Sequence, residues 1–294
     1  MAKGKMLITG ARGILGGDLA SFFSSSYRLF PVSSRDFDIR DEGRVLAYLD
    51  SVKPDIVLHS AAIADVDRCE SDRETARAVN IRGTENVAGA CRKTGARMIY
   101  YSTDYVFGGE KTSFYVESDT PDPVNYYGYT KLEGERRTAS LLDDYAIVRV
   151  AWIYSESDRS FVNRLIRSGR SQMEGRMSGR KYEPLKVVTD QVGCPTWAVE
   201  IARQTDIIID NKLTGVVHCT SGGGASRYEF ARFLFESLSM DVDLQPCRMS
   251  EMPRPAPRPK FTALENRRLG DLGLNVMKDN REALLEFLKK TGKK

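Results

Sequence analysis

Apolar residues along this chain gather in short runs separated by stretches of helical periodicity. Lys5–Thr9 holds Met6, Leu7 and Ile8 in succession, the pattern of a short buried strand. Beyond it, Ile14, Leu15, Leu19, Phe22 and Phe23 fall on one face of a helix. Tyr27–Val32 reads as a second strand, Glu42–Val52 as a helix and Ile56–His59 as a third strand. A long polar helix is expected from about Arg73 to Lys93, then a fourth strand, Met98–Tyr101. The block Thr120-Pro121-Asp122-Pro123 breaks the chain and begins another helix, and Tyr145–Val150 is a fifth strand. Strands that alternate with helices in this way predict an α/β fold, a doubly wound parallel sheet.

After residue 150 the alternation loosens. Trp152-Ile153-Tyr154 leaves the sheet, a basic helix spans about Phe161–Arg170, and Ser171–Lys181, rich in Gly, Ser and Arg, reads as a mobile loop. Asp190–Thr196 precedes a helix reaching about Asp210, Gly215–Cys219 looks like a sixth sheet strand, and Ser226–Leu238 is an amphipathic helix. Four prolines between Pro253 and Pro259 impose an extended loop, and the basic tail is expected to fray. The expected organisation is a first domain over residues 1–153, with later contributions from about 190–222, and a smaller second domain made mainly of 154–294.

With 294 residues, 41% of them hydrophobic, the chain can bury a full core. Its first apolar run is too short for a signal peptide, and no stretch reaches the ~18 to 20 apolar residues of a membrane span. Five cysteines without a Cys-x-x-Cys spacing suggest neither a disulfide framework nor a zinc site, so a reducing cytoplasm is expected and no metal. The two histidines, His59 and His218, end apolar runs and read as core-edge residues, which leaves chemistry to Tyr, Lys, Ser, Thr and carboxylates. Positive charge is concentrated: Arg159–Lys186 holds eight basic and two acidic residues, and Arg248–Lys294 twelve and six. An anionic small ligand and a solvated basic surface both explain that excess.

The first strand runs into Thr9-Gly10-Ala11-Arg12-Gly13-Ile14-Leu15-Gly16. Strand, glycine turn and helix form the context of a Rossmann dinucleotide site, in which glycines admit a pyrophosphate and the helix start favours its charge. After the second strand comes Ser33-Ser34-Arg35, where an NAD-binding chain would carry an acid for the ribose hydroxyls. Arg12 and Arg35 suit a 2′-phosphate, hence NADP, and equally suit ordinary surface positions. Ser60-Ala61-Ala62 supplies small residues where backbone passes close to a cofactor. Thr103 and Asp104 follow the fourth strand at the edge where α/β ligands bind. Tyr127 and Lys131, four residues apart, share one helical face, so the cation can favour a phenolate and the pair can move a proton.

Gly10-x-x-Gly13-x-x-Gly16, with Thr103, Tyr127 and Lys131 in that order, resembles the short-chain dehydrogenase/reductase family. Ser102–Phe107, Arg149–Tyr154 and Asp190–Thr196 narrow the resemblance, over nearly the whole chain, to the dTDP-4-dehydrorhamnose reductases. It implies NADPH-dependent reduction of the C4 ketone of a nucleotide-linked 6-deoxy-4-ketohexose, dTDP-4-dehydro-L-rhamnose in that family. Tyr127 would act as acid, Lys131 would hold the nicotinamide ribose and lower the Tyr127 pKa, and Thr103 would bond the carbonyl oxygen. The cofactor set implied is Gly10, Arg12, Gly13, Ile14, Leu15, Gly16, Ser34, Arg35, Asp38, Ile39, Ala61 and Ala62 with Tyr127 and Lys131. The substrate set is Val66, Thr103, Asp104, Trp152 and Arg258. The partner is a nucleotide sugar, with no nucleic acid or membrane, and a homodimer is one option. Two rivals share the fold: a non-catalytic NADP-binding subunit like methionine adenosyltransferase β, and an NAD-dependent sugar-nucleotide epimerase or dehydratase.

Overall fold

A computed structural model describes residues 2–293. Strands β1 (Lys5–Thr9), β2 (Arg28–Val32), β3 (Ile56–His59), β4 (Arg97–Thr103) and β5 (Tyr145–Val150) are parallel neighbours in one sheet. The sheet turns direction at β1, which has β2 on one side and β3 on the other. Ligands of doubly wound sheets bind at the carboxyl ends of strands at such a point. Every residue of β4 is buried, as a strand covered on both faces must be.

Helix α1 (Ile14–Phe23) buries Leu15, Leu19 and Phe23 against one face of the sheet. On the other face α2 (Glu42–Val52) buries Val45, Leu49 and Val52, and its N-cap Asp41 accepts a bond from the Arg44 N–H. The long helix expected from Arg73 to Lys93 is divided. Short α3 (Val66–Ser71) and α4 (Arg73–Arg77) lead into a π-helical segment, Ala78–Gly83, before α5 (Thr84–Thr94). The extra residue in the π turn carries Asn80 inward, where its amide bonds Ile63 O and Thr130 Oγ1, each at 3.0 Å. Helix α6 (Tyr126–Leu141) then packs against β4.

The second half begins with β6 (Ile153–Tyr154) and α7 (Phe161–Met177). The expected loop from Ser171 is helical as far as Met177. Tertiary contacts override the weak local propensity: the Gln172 side chain bonds the backbones of Glu183 and Asp243, and Arg176 pairs with Asp241. Strands β7 (Leu185–Val188), β8 (Val192–Gly193) and β9 (Thr196–Trp197) follow, then α8 (Ala198–Asp210), which lies on α1. Strand β10 (Gly215–His218) completes the six-stranded sheet beside β5.

Strand β11 (Ala225–Ser226) leads into α9 (Arg227–Ser237), opened by a Ser226/Glu229 capping box. Strand β12 (Leu244–Cys247) pairs with β7, and α10 (Arg267–Asp271) returns Leu269 to the core of the large sheet. The basic tail, expected to fray, is helical as far as Lys290. Helix α11 (Asn280–Lys290) buries Leu284, Phe287 and Leu288 against Tyr154, Trp197 and Phe230 in a separate smaller core.

Candidate active site

Between the carboxyl edge of the large sheet and the smaller core lies a cleft of about 990 Å³. One end is the glycine turn. Helix α1 begins at Gly13 without a side-chain cap, so its first N–H groups stay available to an anion. The turn is closed tightly: a Cβ on Gly16 would lie 2.3 Å from Gly10 O, and one on Gly10 would lie 2.7 Å from Ala61 N. Gly13, Ile14, Leu15, Gly16 and Ala62 line the cleft, and this backbone cradle fits a dinucleotide pyrophosphate.

Behind the turn, His59 is fully buried and pushed down to about 3, chiefly by burial, which keeps it neutral. Thr84 donates its hydroxyl to Asn80 O, so His59 must donate from Nε2 to Thr84 and accept at Nδ1 from Thr9, 2.7 Å away. It is a core residue that braces β1 on α5.

The turn after β2 contains an acid after all. Asp36 accepts bonds from the Ser33 N–H and hydroxyl at 2.8 and 2.9 Å, which hold its carboxyl below the usual range, with the Arg12 guanidinium a lesser cause. Arg12, Ser34 and Arg35 are exposed around it. Asp38 is paired with Arg40 at 2.6 Å, and Ile39 covers Gly83 while its carbonyl accepts from Asn86. These two residues shape the second strand's exit and do not line the cleft. Arg159 was not anticipated: it lines the cleft and bonds Arg12 O at 2.5 Å, joining the two halves of the molecule over the glycine turn.

Across the cleft, Asn125 caps α6 by accepting from Gly128 N at 2.9 Å and donates to Pro257 O at 3.1 Å. This fixes Tyr127 and Lys131 one turn apart, both lining the cleft. Burial pushes the Tyr127 phenol well above its ordinary value, opposed by the neighbouring Thr103 hydroxyl. The same burial pushes the Lys131 ammonium down to about 7, opposed by Glu135. Lys131 is not among the largest influences on the phenol. Its Nζ stands 4.1 Å over the ring of Tyr100, and the groups moving Tyr127 are Thr103, Asp104, Cys69 and Tyr105 besides burial. Desolvation drives both groups towards neutrality, so Tyr127 holds its proton.

One turn beyond Lys131, Glu135 forms a buried bidentate pair with Arg149 of β5, at 2.9 and 2.7 Å. Ser102 donates to the same carboxylate at 2.5 Å. Thr103 and Asp104 are nearly closed off, and both Asp104 oxygens are engaged, by Thr103 at 3.0 Å and by Thr262 at 2.5 Å. Asp104 thus lines the cleft beside Thr103 with both of its oxygens already bonded.

Val66, at the start of α3, and Trp152 also line the cleft. Trp152 has φ +42°, a left-handed conformation that costs a residue with a side chain about 1 to 2 kcal/mol. Its ring lies 3.4 Å from the Arg227 guanidinium, and Gly193 leaves room for its indole, since a Cβ there would be 2.5 Å from Trp152 Cε2. Arg258 lines the cleft but is bound to Asp67 at 3.0 Å and to Ala256 O at 2.8 Å. Its pairing ties the proline-rich loop to α3 and leaves it less free for a substrate phosphate than its place in the sequence suggested.

A pyrophosphate cradle at one end of a cleft and a protonated tyrosine beside a lysine at the other place the protein among the extended short-chain dehydrogenase/reductases. The profile of a family described as RmlD substrate binding domain matches residues 4–292. A dTDP-4-dehydrorhamnose reductase of Mycolicibacterium smegmatis is 36% identical over 285 residues, covering 95% of this chain and 84% of that protein. A dTDP-4-keto-6-deoxy-D-glucose reductase of Streptomyces niveus is 32% identical, covering 96% of each chain. The crystal structure of a dTDP-4-dehydrorhamnose reductase from Bacillus anthracis in complex with NADP superposes with a TM-score of 0.92 at 32% identity, covering 99% of this chain and 100% of that one. The chain belongs to the dTDP-4-dehydrorhamnose reductase family, whose members are NAD(P)-dependent oxidoreductases. Among the described residues, no helix is long and apolar enough to cross a membrane.

Proposed function

We propose that the protein reduces the C4 ketone of dTDP-4-dehydro-L-rhamnose to give dTDP-L-rhamnose, with NADPH as reductant. The carrying observation is the protonated Tyr127 beside Thr103 in a cleft that ends on the uncapped glycine turn. NADPH supplies the hydride when bound. Tyr127 donates its proton to the oxygen that gains charge, and Thr103 donates a hydrogen bond to that oxygen. Lys131 holds the nicotinamide ribose, and Val66 and Trp152 contact the sugar. The five cysteines, buried and unpaired, suit a reducing compartment, and we place the reaction in the cytoplasm.

Purified protein given NADPH and a 4-keto-6-deoxy sugar nucleotide should consume NADPH in proportion to ketone. No consumption would favour the regulatory-subunit reading, and tightly co-purifying NAD the epimerase reading. With a fixed ketone, NADPH should exceed NADH by at least about tenfold in kcat/KM, since one guanidinium–phosphate bond contributes ~1.5 to 3 kcal/mol. Changing Arg12 and Arg35 together should reduce that preference most. Equal efficiencies would place the 2′-phosphate end in solvent. Gly193→Ala should crowd the Trp152 indole, a misfit of ~1 to 3 kcal/mol, and raise the sugar-nucleotide KM about tenfold without changing NADPH affinity. An unchanged KM would remove Trp152 from the sugar site.

A further inference from the structure

The carboxyl group of Asp104 is held between two hydroxyls. Thr103 Oγ1 lies 3.0 Å from Oδ1, Thr262 Oγ1 lies 2.5 Å from Oδ2, and the residue is 2% exposed. Facing it are the Arg227 guanidinium, the phenols of Tyr105 and Tyr127, and the Cys194 thiol. None of these forms an ion pair with it among the described residues.

A threonine hydroxyl has one hydrogen to give. The Thr103 oxygen already accepts the Tyr105 N–H, 3.2 Å away, so its single hydrogen decides what else it contacts. An ionised Asp104 is a stronger acceptor than a ketone and keeps that hydrogen for itself. Its charge, one residue from the reaction centre, would also oppose the negative charge that grows on the substrate oxygen. A proton on Oδ1 reverses the bond. Asp104 then donates to Thr103, and the Thr103 hydrogen is released towards the cleft, while Thr262 still donates to Oδ2.

We propose that Asp104 works as a neutral carboxylic acid, a positioning residue whose proton turns the Thr103 hydroxyl towards the keto oxygen. This rests on the reductase reading above. The Asp104 proton is not consumed, because Tyr127 supplies the one that the alkoxide receives. Burial pushes the Asp104 carboxyl up to about 6, against the bonds from Thr262 and Thr103 and the field of Arg227. Below that pH the acid form holds and Thr103 is free; above it the proton leaves and Thr103 is captured. Turnover should therefore fall as pH rises through about 6, with a second fall near 7 as Lys131 loses its proton.

The test is the pH dependence of kcat at saturating NADPH and keto-sugar for the wild type, Asp104→Asn and Thr262→Val. Difference infrared spectra of the substrate-free wild type and Asp104→Asn accompany it. An asparagine amide can donate permanently to Thr103, so Asp104→Asn should lose the lower limb while keeping the upper one. Its rate relative to wild type should rise more than about tenfold between about pH 5.5 and about pH 7.5. Thr262→Val removes a donor that favours the ionised form, so the lower limb should move to higher pH. A neutral-carboxyl stretch should be present in the wild type at about pH 5 and missing from Asp104→Asn. Absence of that band, or a wild-type rate that rises with pH through 6 while Asp104→Asn is inactive throughout, would overturn the proposal. The band with no turnover of any 4-keto sugar nucleotide would overturn the reductase reading instead.

Discussion

Tyr127→Phe is expected to lower turnover by ~10² to 10⁴ while leaving NADPH affinity within about twofold. The phenylalanine ring keeps the edge contact with Tyr105, whose centroid is 6.0 Å away, so the helix and cleft wall stay in place. Only the hydroxyl is lost, and with it the proton that the burial of the site keeps on the phenol. Single-turnover measurement of NADPH oxidation isolates the chemical step from product release. Wild-type turnover in this variant would mean that another group, or water, delivers the proton, and the assignment of Tyr127 would fail.

Glu135→Ala should reduce stability by about 3 to 5 kcal/mol, because it leaves the Arg149 guanidinium charged, buried and without its carboxylate. Arg149 already has one nitrogen, Nη1, without a partner, so it has little to fall back on. Urea unfolding monitored with and without NADPH gives the loss directly. Removing both charges with Glu135→Leu and Arg149→Met should cost much less, since the desolvation of both ions is then avoided. Equal costs for the single and double changes would mean that packing, rather than an unpaired charge, is responsible. Glu135 also opposes the downward push on Lys131, so Glu135→Ala lowers that pKa further and should move the upper limb of the pH profile to lower pH.

The parts of the site that were legible in the sequence are those made by neighbours along the chain. Gly10, Gly13 and Gly16 belong to one turn, and Tyr127 and Lys131 to one helix, so the spacing of residues already carries their geometry. Asp104 and Thr262 meet across 158 positions, and Gly193 meets Trp152 because two strands of the second half converge. No periodicity reports such a meeting. Glu135–Arg149 left a trace: an arginine inside the apolar strand Tyr145–Val150 needs an internal counter-charge, and Glu135 lies one turn from Lys131. The helical extension through Met177 was hidden because its support, Gln172 bonding Asp243, comes from 71 positions further along the chain. Asp36 was hidden for the opposite reason: its local bonds to Ser33 bring it back into a turn that its position in the sequence seemed to leave behind.

The return of the chain to the large sheet has a consequence for how the molecule is made. Strand β5 pairs with β4 on one side and waits for β10, about seventy residues later, on the other. While the ribosome is still adding the second half, β5 presents an open row of backbone donors and acceptors, the kind of edge that recruits a neighbouring chain. Closing it requires α8 to settle on α1 and Gly215–His218 to arrive, and by then the part of the smaller core from Tyr154 to Trp197 has been synthesised. The two halves are thus bound to a shared schedule of assembly, and a nascent chain released at residue 153 would leave with its sheet unfinished.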